Sequence, residues 1–265
     1  MESCYRNIIF RREGGVATIT LNRPEAMNAL NFRVIDEFVH AVRKVAEDEA
    51  IRVLVIKGVG RAFCAGDDLK GMQEPGEPSP KSAPETEAYL WRGYVRLIKA
   101  LRDLRKPVIA SINGYALGAG FDLALACDFR IASENSRFGM PYVLRGLVGG
   151  TALLPRYVGI AKATELLFTG EMIDAKEAER WGLVNKVVKA EDLEKATEEL
   201  ANRFANAATM AIGLTKRAID QGLGVGLDQA IEHQIHASLL AMQTEDVQEG
   251  ILAFIEKREP RFKGK

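Results

Sequence analysis

The sequence predicts an α/β fold in which parallel strands alternate with crossover helices and a purely helical region follows. Three observations carry this: β-type runs alternating with helical periods in the first half, two glycine-rich bends that each follow such a run, and four successive helical patterns near the end. GVATITLN (15–22), RVLVIKG (52–58) and PVIASING (107–114) are rich in β-branched residues and bounded by Gly, Asn or Pro, which marks strands. NFRVIDEFVHAVRKVAED (31–48) repeats apolar residues every three or four positions, which marks a crossover helix. MQEPGEPSPKSAPET (72–86) is dense in Pro, Ser and Glu and predicts a mobile loop with neither helix nor ladder. From Glu191 onward, EDLEKATEELANRFAN, TMAIGLTKRAIDQGL, LDQAIEHQIHASLLAMQ and TEDVQEGILAFIEKRE keep the helical period with little strand signal.

Composition removes several function classes. A chain of 265 residues, 47% hydrophobic, is long enough for a sizeable core. Its 36 basic residues balance 36 acidic ones, so no overall field favours nucleic acid or an anionic membrane surface as partner. Cys4, Cys64 and Cys127 are too few and too scattered for a disulfide framework, and the first residues lack the apolar core of a signal peptide. A reducing, cytoplasmic setting is expected. No window approaches the roughly 18 to 20 apolar residues of a membrane span. His233 and His236 lie three apart without an acid or cysteine set beside them, so no metal site is expected.

The chemistry concentrates in the two bends, RAFCAGDDLKGM (61–72) and NGYALGAGFDLALACD (113–128). Each follows a predicted strand, turns through small residues and enters a helical run. Small residues let backbone N–H groups approach a ligand closely, and a helix start leaves such groups unpaired with partial positive charge behind them. If the bends converge, one N–H from each can hold the same oxygen, which stabilises an enolate or a tetrahedral oxyanion. Gly118-Ala-Gly120 is also half of a dinucleotide fingerprint, but Leu123 occupies the third glycine's place and no acid follows about twenty residues on. Either glycine pair alone could be a simple packing turn; the two together favour an anion site. Asp122 could merely complement the helix dipole, yet its neighbours FDLALA make the helix apolar nearly all round. A carboxyl buried there would have a raised pKa, the usual form of a catalytic acid or base. Cys64, between Phe63 and Ala65 with no nearby His, reads as buried and inert.

These bends, together with LNRPEAMNAL (21–30), KPVIASINGYALGAGFDLALACDFRIASENSRFGMP (106–141), FTGEMIDAKEAERWGLVNKVV (168–188) and the ending EGILAFIEKREPRFKGK, resemble the crotonase, or enoyl-CoA hydratase/isomerase, superfamily. The resemblance implies a spiral ββα core over residues 1–190 and a C-terminal helical region, 191–265, used for trimerisation. It implies an acyl-CoA substrate whose thioester oxygen lies between the N–H groups of Asp67 and Ala119. It places Ala26, Ala65, Asp68, Leu69 and Lys70 along the coenzyme A moiety, and Phe262 and Lys265 in a tail that reaches a neighbouring subunit's ligand. Coenzyme A enters as part of the substrate, with no separate cofactor, and the assembly is a homotrimer or a hexamer.

Two departures bear on the reaction. Typical hydratases carry one Glu at the position of Asp122 and a second at the position of Tyr142 in FGMPY, and the loop LRGLVGGTALLPR is about three residues shorter than usual. Hydration needs a proton exchanged at Cα and an activated water at Cβ, whereas moving a double bond needs one group that removes and returns a proton. With Asp122 as single acid or base and Tyr142 only supplying a hydrogen bond, slow hydration is expected. A decarboxylase, a thioester hydrolase and a non-catalytic acyl-CoA binder are the alternatives. The carboxylate of Asp67, adjacent to the anionic oxygen, is expected to point away or to pair with Lys70 or Arg61.

Overall fold

The computed structural model of the chain describes residues 5–71 and 81–265. The three predicted strands form as β2 (Val16–Leu21), β3 (Val53–Gly58) and β5 (Val108–Ile112), paired in parallel. β5 is buried throughout, as expected of an apolar run covered on both faces. A further strand, β1 (Ile8–Glu13), pairs antiparallel with β2 around a Gly14-Gly15 turn. Its sequence IIFRRE alternates poorly and gives no strand period. β7 (Phe129–Ser133) and β10 (Lys186–Val188) complete a six-stranded sheet in the order β1-β2-β3-β5-β7-β10.

The predicted crossover helix is α1 (Phe32–Glu47), capped by the Asn31 side chain, which accepts the Val34 N–H. Val34, Ile35, Phe38, Val42 and Val45 form its buried stripe. α2 (Ala83–Arg92) begins inside the stretch predicted to be loop. Ser82 caps it and Pro84 sits in its first turn, where the missing N–H costs nothing, so helix-start chemistry outweighed the loop-like composition. Residues 72–80 of that stretch lie outside the described residues. α3 (Val95–Asp103) follows and buries Leu97 and Leu101.

A second sheet of short strands positions the bends: β4 (Ala62–Cys64), β6 (Tyr115–Leu117), β8 (Arg137–Gly139) and β9 (Met172–Asp174), in that order. β4 and β6 are parallel neighbours with Cys64 opposite Ala116, so the chain leaves both strands at the same end. From β6 it enters α4 (Ala119–Ala126), in which every residue is buried. From β4 the described chain instead makes a turn, with the Gly71 N–H donating to the Asp68 carboxylate, and the next α-helix is α2.

α5 (Leu154–Thr169) and α6 (Ala175–Arg180) precede the four predicted C-terminal helices, α7 (Leu193–Ala205), α8 (Thr209–Gly222), α9 (Leu227–Ala241) and α10 (Glu245–Glu256). α7 sets Leu193, Ala196 and Ala201 against Val53, Val55 and Ile109 of the first sheet. α8 is fastened by the buried Lys216, which donates to the Leu101 carbonyl at 2.7 Å and to Asp128 at 3.0 Å. α9 and α10 leave Ile231, Ile235, Ile251, Phe254 and Ile255 exposed. Among the described residues, no helix is long and apolar enough to cross a membrane, and no group of His, Cys, Asp and Glu could hold a metal ion.

Candidate active site

The two bends meet. A Cβ on Gly120 would overlap the Cys64 carbonyl, and one on Gly66 would stand 2.8 Å from the Leu117 carbonyl oxygen and 3.4 Å from the Ala119 nitrogen. Only glycine permits such approach. The Leu30 N–H donates to the Gly66 carbonyl at 2.8 Å and the Asp68 N–H to the Leu30 carbonyl at 2.9 Å, a parallel bridge that turns the Asp67 N–H the opposite way. Ala119 is the first residue of α4, where an N–H has no partner within the helix. Neither N–H has an acceptor among the described residues.

Both residues line a cavity of about 650 Å³. Ala26, Ala65, Asp68, Leu69, Lys70 and Tyr142 line it as well. Asp68 secures the wall: Arg23 donates to its carboxylate at 2.8 Å and to the Ala29 carbonyl. Burial opposes its ionisation, but the Gly71 N–H and Arg23 outweigh that and hold its pKa below the ordinary range. A second, mainly apolar cavity of about 230 Å³ shares Asp67 and Gly71 with the first and is bounded by Leu30, Phe32, Ile35, Leu90 and Tyr94. Phe262 and Lys265 are not at either cavity of their own chain: Phe262 faces Gly250, and the Lys265 carbonyl accepts from the Asp246 N–H.

Asp122 is only 2% exposed and lines neither cavity. The Tyr142 hydroxyl, on the cavity wall, donates to its carboxylate at 2.9 Å. Burial pushes the Asp122 carboxyl up to about 6, although Tyr142, the Gly150 N–H and Tyr94 all hydrogen-bond to it and favour the charged form. Burial and the charge of Asp122 hold Tyr142 far above the ordinary phenol range, so it remains a donor and cannot act as a free base. Its ring lies under Gly149, where a Cβ would come within 2.5 Å.

Tyr94 is a site residue that the sequence pattern does not reveal. It precedes α3, stacks on Tyr142 with ring centroids 6.5 Å apart, and is raised to about 12 by burial and then by Asp122. A lone tyrosine at a helix start carries no motif. Of the two arrangements expected for the Asp67 carboxylate, the ion pair does not form: none joins it to Lys70 or Arg61 among the described residues. The arginine that serves this bend, Arg23, is taken by Asp68. Burial and then the negative charge of Asp122 push the Asp67 carboxyl up to about 7.

These raised values have a sign. A carboxyl that binds its proton more tightly when folded than when unfolded gives stability that is complete below its ordinary pKa, near 4, and is lost as pH rises through its folded value. For Asp122 and Asp67 that window ends at about 6 and about 7. In denaturant titrations the wild type is therefore expected to lose stability relative to Asp122→Asn between about pH 4 and about pH 6. A difference that stays constant with pH contradicts the burial of a charge at this position.

Known proteins resemble the chain over nearly its whole length. A family model described as enoyl-CoA hydratase/isomerase matches residues 11–265. A crotonyl-CoA hydratase of Syntrophomonas wolfei is 42% identical over 264 residues, 97% of this chain and 98% of that protein. A 1,2-epoxyphenylacetyl-CoA isomerase of Escherichia coli is 38% identical over 262 residues, 97% of this chain and 98% of its own. The crystal structure of an enoyl-CoA hydratase from Bacillus anthracis superposes with a TM-score of 0.89 at 34% identity, covering 98% of this chain and 100% of the other. With a matching family model, close relatives and a shared fold, the chain belongs to the enoyl-CoA hydratase/isomerase family.

Proposed function

We propose that the protein moves a carbon–carbon double bond in an acyl-CoA thioester through an enolate held by the N–H groups of Asp67 and Ala119. The observation that carries this reading is the pair of main-chain donors without protein acceptors, supplied by adjacent bends to one cavity. Asp122 takes and returns the proton. The path runs through the Tyr142 hydroxyl, which receives the substrate's proton as it hands its own to Asp122. Arg61, Lys70 and Arg145 line the cavity and supply positive charge suited to the phosphates of coenzyme A. Ala26, Ala65, Asp68, Leu69 and Lys70 lie along that coenzyme A moiety, and the apolar cavity beyond Asp67 takes the acyl group. The exposed apolar faces of α9 and α10 fit assembly as a trimer or hexamer, in which Phe262 and Lys265 reach the neighbouring subunit's ligand.

Hydration is the weaker activity, because Tyr142 supplies no second carboxylate to activate water. With 3-enoyl-CoA and crotonyl-CoA offered separately at pH 7, double-bond migration is expected to be faster than hydration. Crotonyl-CoA should be hydrated below the ordinary enzyme median of about 10 per second. Hydration at or above that rate without migration overturns the reading. Release of carbon dioxide from malonyl-type thioesters would identify a decarboxylase instead, and release of free thiol a hydrolase.

A further inference from the structure

We propose that the acyl group taken by this site is neutral and apolar, of about nine carbons, and that an acyl group ending in a carboxylate is turned away. A phenyl ring on a short chain and a medium-length alkyl chain share this chemistry. The proposal deepens the enolate reading and rests on it, because the thioester between the N–H groups of Asp67 and Ala119 decides where the acyl group starts. Asp67 and Gly71 belong to both cavities, so a group leaving the thioester on the side away from coenzyme A enters the smaller one.

Segments distant in sequence build that cavity. α1 supplies Phe32 and Ile35, α2 supplies Tyr89 and Leu90, Tyr94 comes from the start of α3, and Val148 from the loop after Tyr142. Phe32 and Tyr89 meet edge to face, with ring centroids 5.0 Å apart and planes at 90°, and Tyr94 stacks on Tyr142. The wall is therefore largely aromatic. α2 has no fully buried residue, and Leu90 is 62% and Val148 88% exposed. An apolar group lying against them removes that surface from water, which is the source of affinity in such a cavity.

Charge selects in the same direction. Among the described residues, no Lys, Arg or His lines the smaller cavity. Its ionisable groups, Asp67, Tyr89 and Tyr94, are acids and can add only negative charge. The arginines of the adjoining helices are engaged elsewhere: Arg92 is held over the Phe32 ring at 5.2 Å, and Arg96 pairs with Asp36 at 2.6 Å. A carboxylate at the far end of the acyl group would lose water without gaining a partner, which is costly. Volume sets the length. An apolar cavity of about 150 Å³ holds benzene, with its six carbons, so about 230 Å³ holds in proportion about nine.

The test is equilibrium binding of saturated CoA esters, which have no double bond to move, read by calorimetry. From acetyl-CoA to hexanoyl-CoA, affinity is expected to rise about fourfold per methylene, on the order of 100-fold in all. Octanoyl-CoA and 3-phenylpropanoyl-CoA should bind at least as tightly as hexanoyl-CoA, and the tighter of the two tells chain from ring. Dodecanoyl-CoA should gain nothing over octanoyl-CoA. Adipyl-CoA, which has the length of hexanoyl-CoA but ends in a carboxylate, is expected to bind about 10-fold more weakly than hexanoyl-CoA, or worse. Leu90→Arg changes an exposed side chain and sets a cation on the wall, so adipyl-CoA should gain about fivefold while hexanoyl-CoA loses affinity. Affinity that stays flat from acetyl-CoA to octanoyl-CoA overturns the proposal, as does adipyl-CoA bound as tightly as hexanoyl-CoA, or a Leu90→Arg protein with both affinities unchanged. A wild type that shows the expected affinities but moves no double bond overturns the isomerase reading alone. A protein that binds no CoA ester overturns the acyl-CoA reading of the whole site.

Discussion

Asp122→Asn is expected to lower kcat by about 10²- to 10⁴-fold, the usual contribution of a positioned acid or base. The amide has the size of the carboxylate and can still accept the Tyr142 hydroxyl bond, so the surroundings are kept. Asp122 lines neither cavity, so affinity for a coenzyme A ester, read by calorimetry, should be unchanged. The loss falls on kcat alone, which marks an interaction made in the transition state and not in the ground state. In the wild type, the activity limb on the acid side should rise through about pH 6, where Asp122 becomes the base. A variant with wild-type kcat would remove Asp122 from the chemistry.

Gly120→Ala is expected to be the most damaging change that adds a single methyl group. On helix propensity alone it should stabilise α4 by about 1 kcal/mol. Packing reverses the sign, because the new Cβ would overlap the Cys64 carbonyl oxygen and come within 2.7 Å of its carbonyl carbon. Those are backbone atoms of β4, so relief requires the two bends to separate. Overpacking of this kind costs about 1 to 3 kcal/mol. Separation also moves the Ala119 N–H away from that of Asp67, and losing one such donor costs about 10² to 10³ in rate. Thermal unfolding and steady-state kinetics read the two losses independently. A variant that melts higher and keeps its activity would show that the bends do not depend on this contact.

Much of this site is legible in the chain because its chemistry is local. The two bends announce themselves through small residues placed after β-type runs, and the burial of α4 follows from FDLALA being apolar on every side. What joins the bends is not legible. β4 and β6 are three residues long, too short to show a period, and their parallel pairing is a tertiary fact. Tyr94 reaches Asp122 only because α3 packs beside α4, and nothing in the sequence around it reports that neighbour. The absence of an ion pair at Asp67 has the same origin. Lys70 and Arg61 are near in sequence, but both lie exposed, while Arg23 arrives from a different turn and engages the adjacent acid.

The Tyr142 ring and the glycines laid over it form one mechanical unit. Gly149 rests on the ring where no side chain fits, and Gly150 gives its N–H to the acid that the ring's hydroxyl holds. A glutamate installed at 142 alone would leave a hollow beneath a loop cut for an aromatic plate, and would set a second carboxylate against the buried Asp122. The loop and the tyrosine are thus fitted to each other, and a carboxylate at position 142 would need both to change at once.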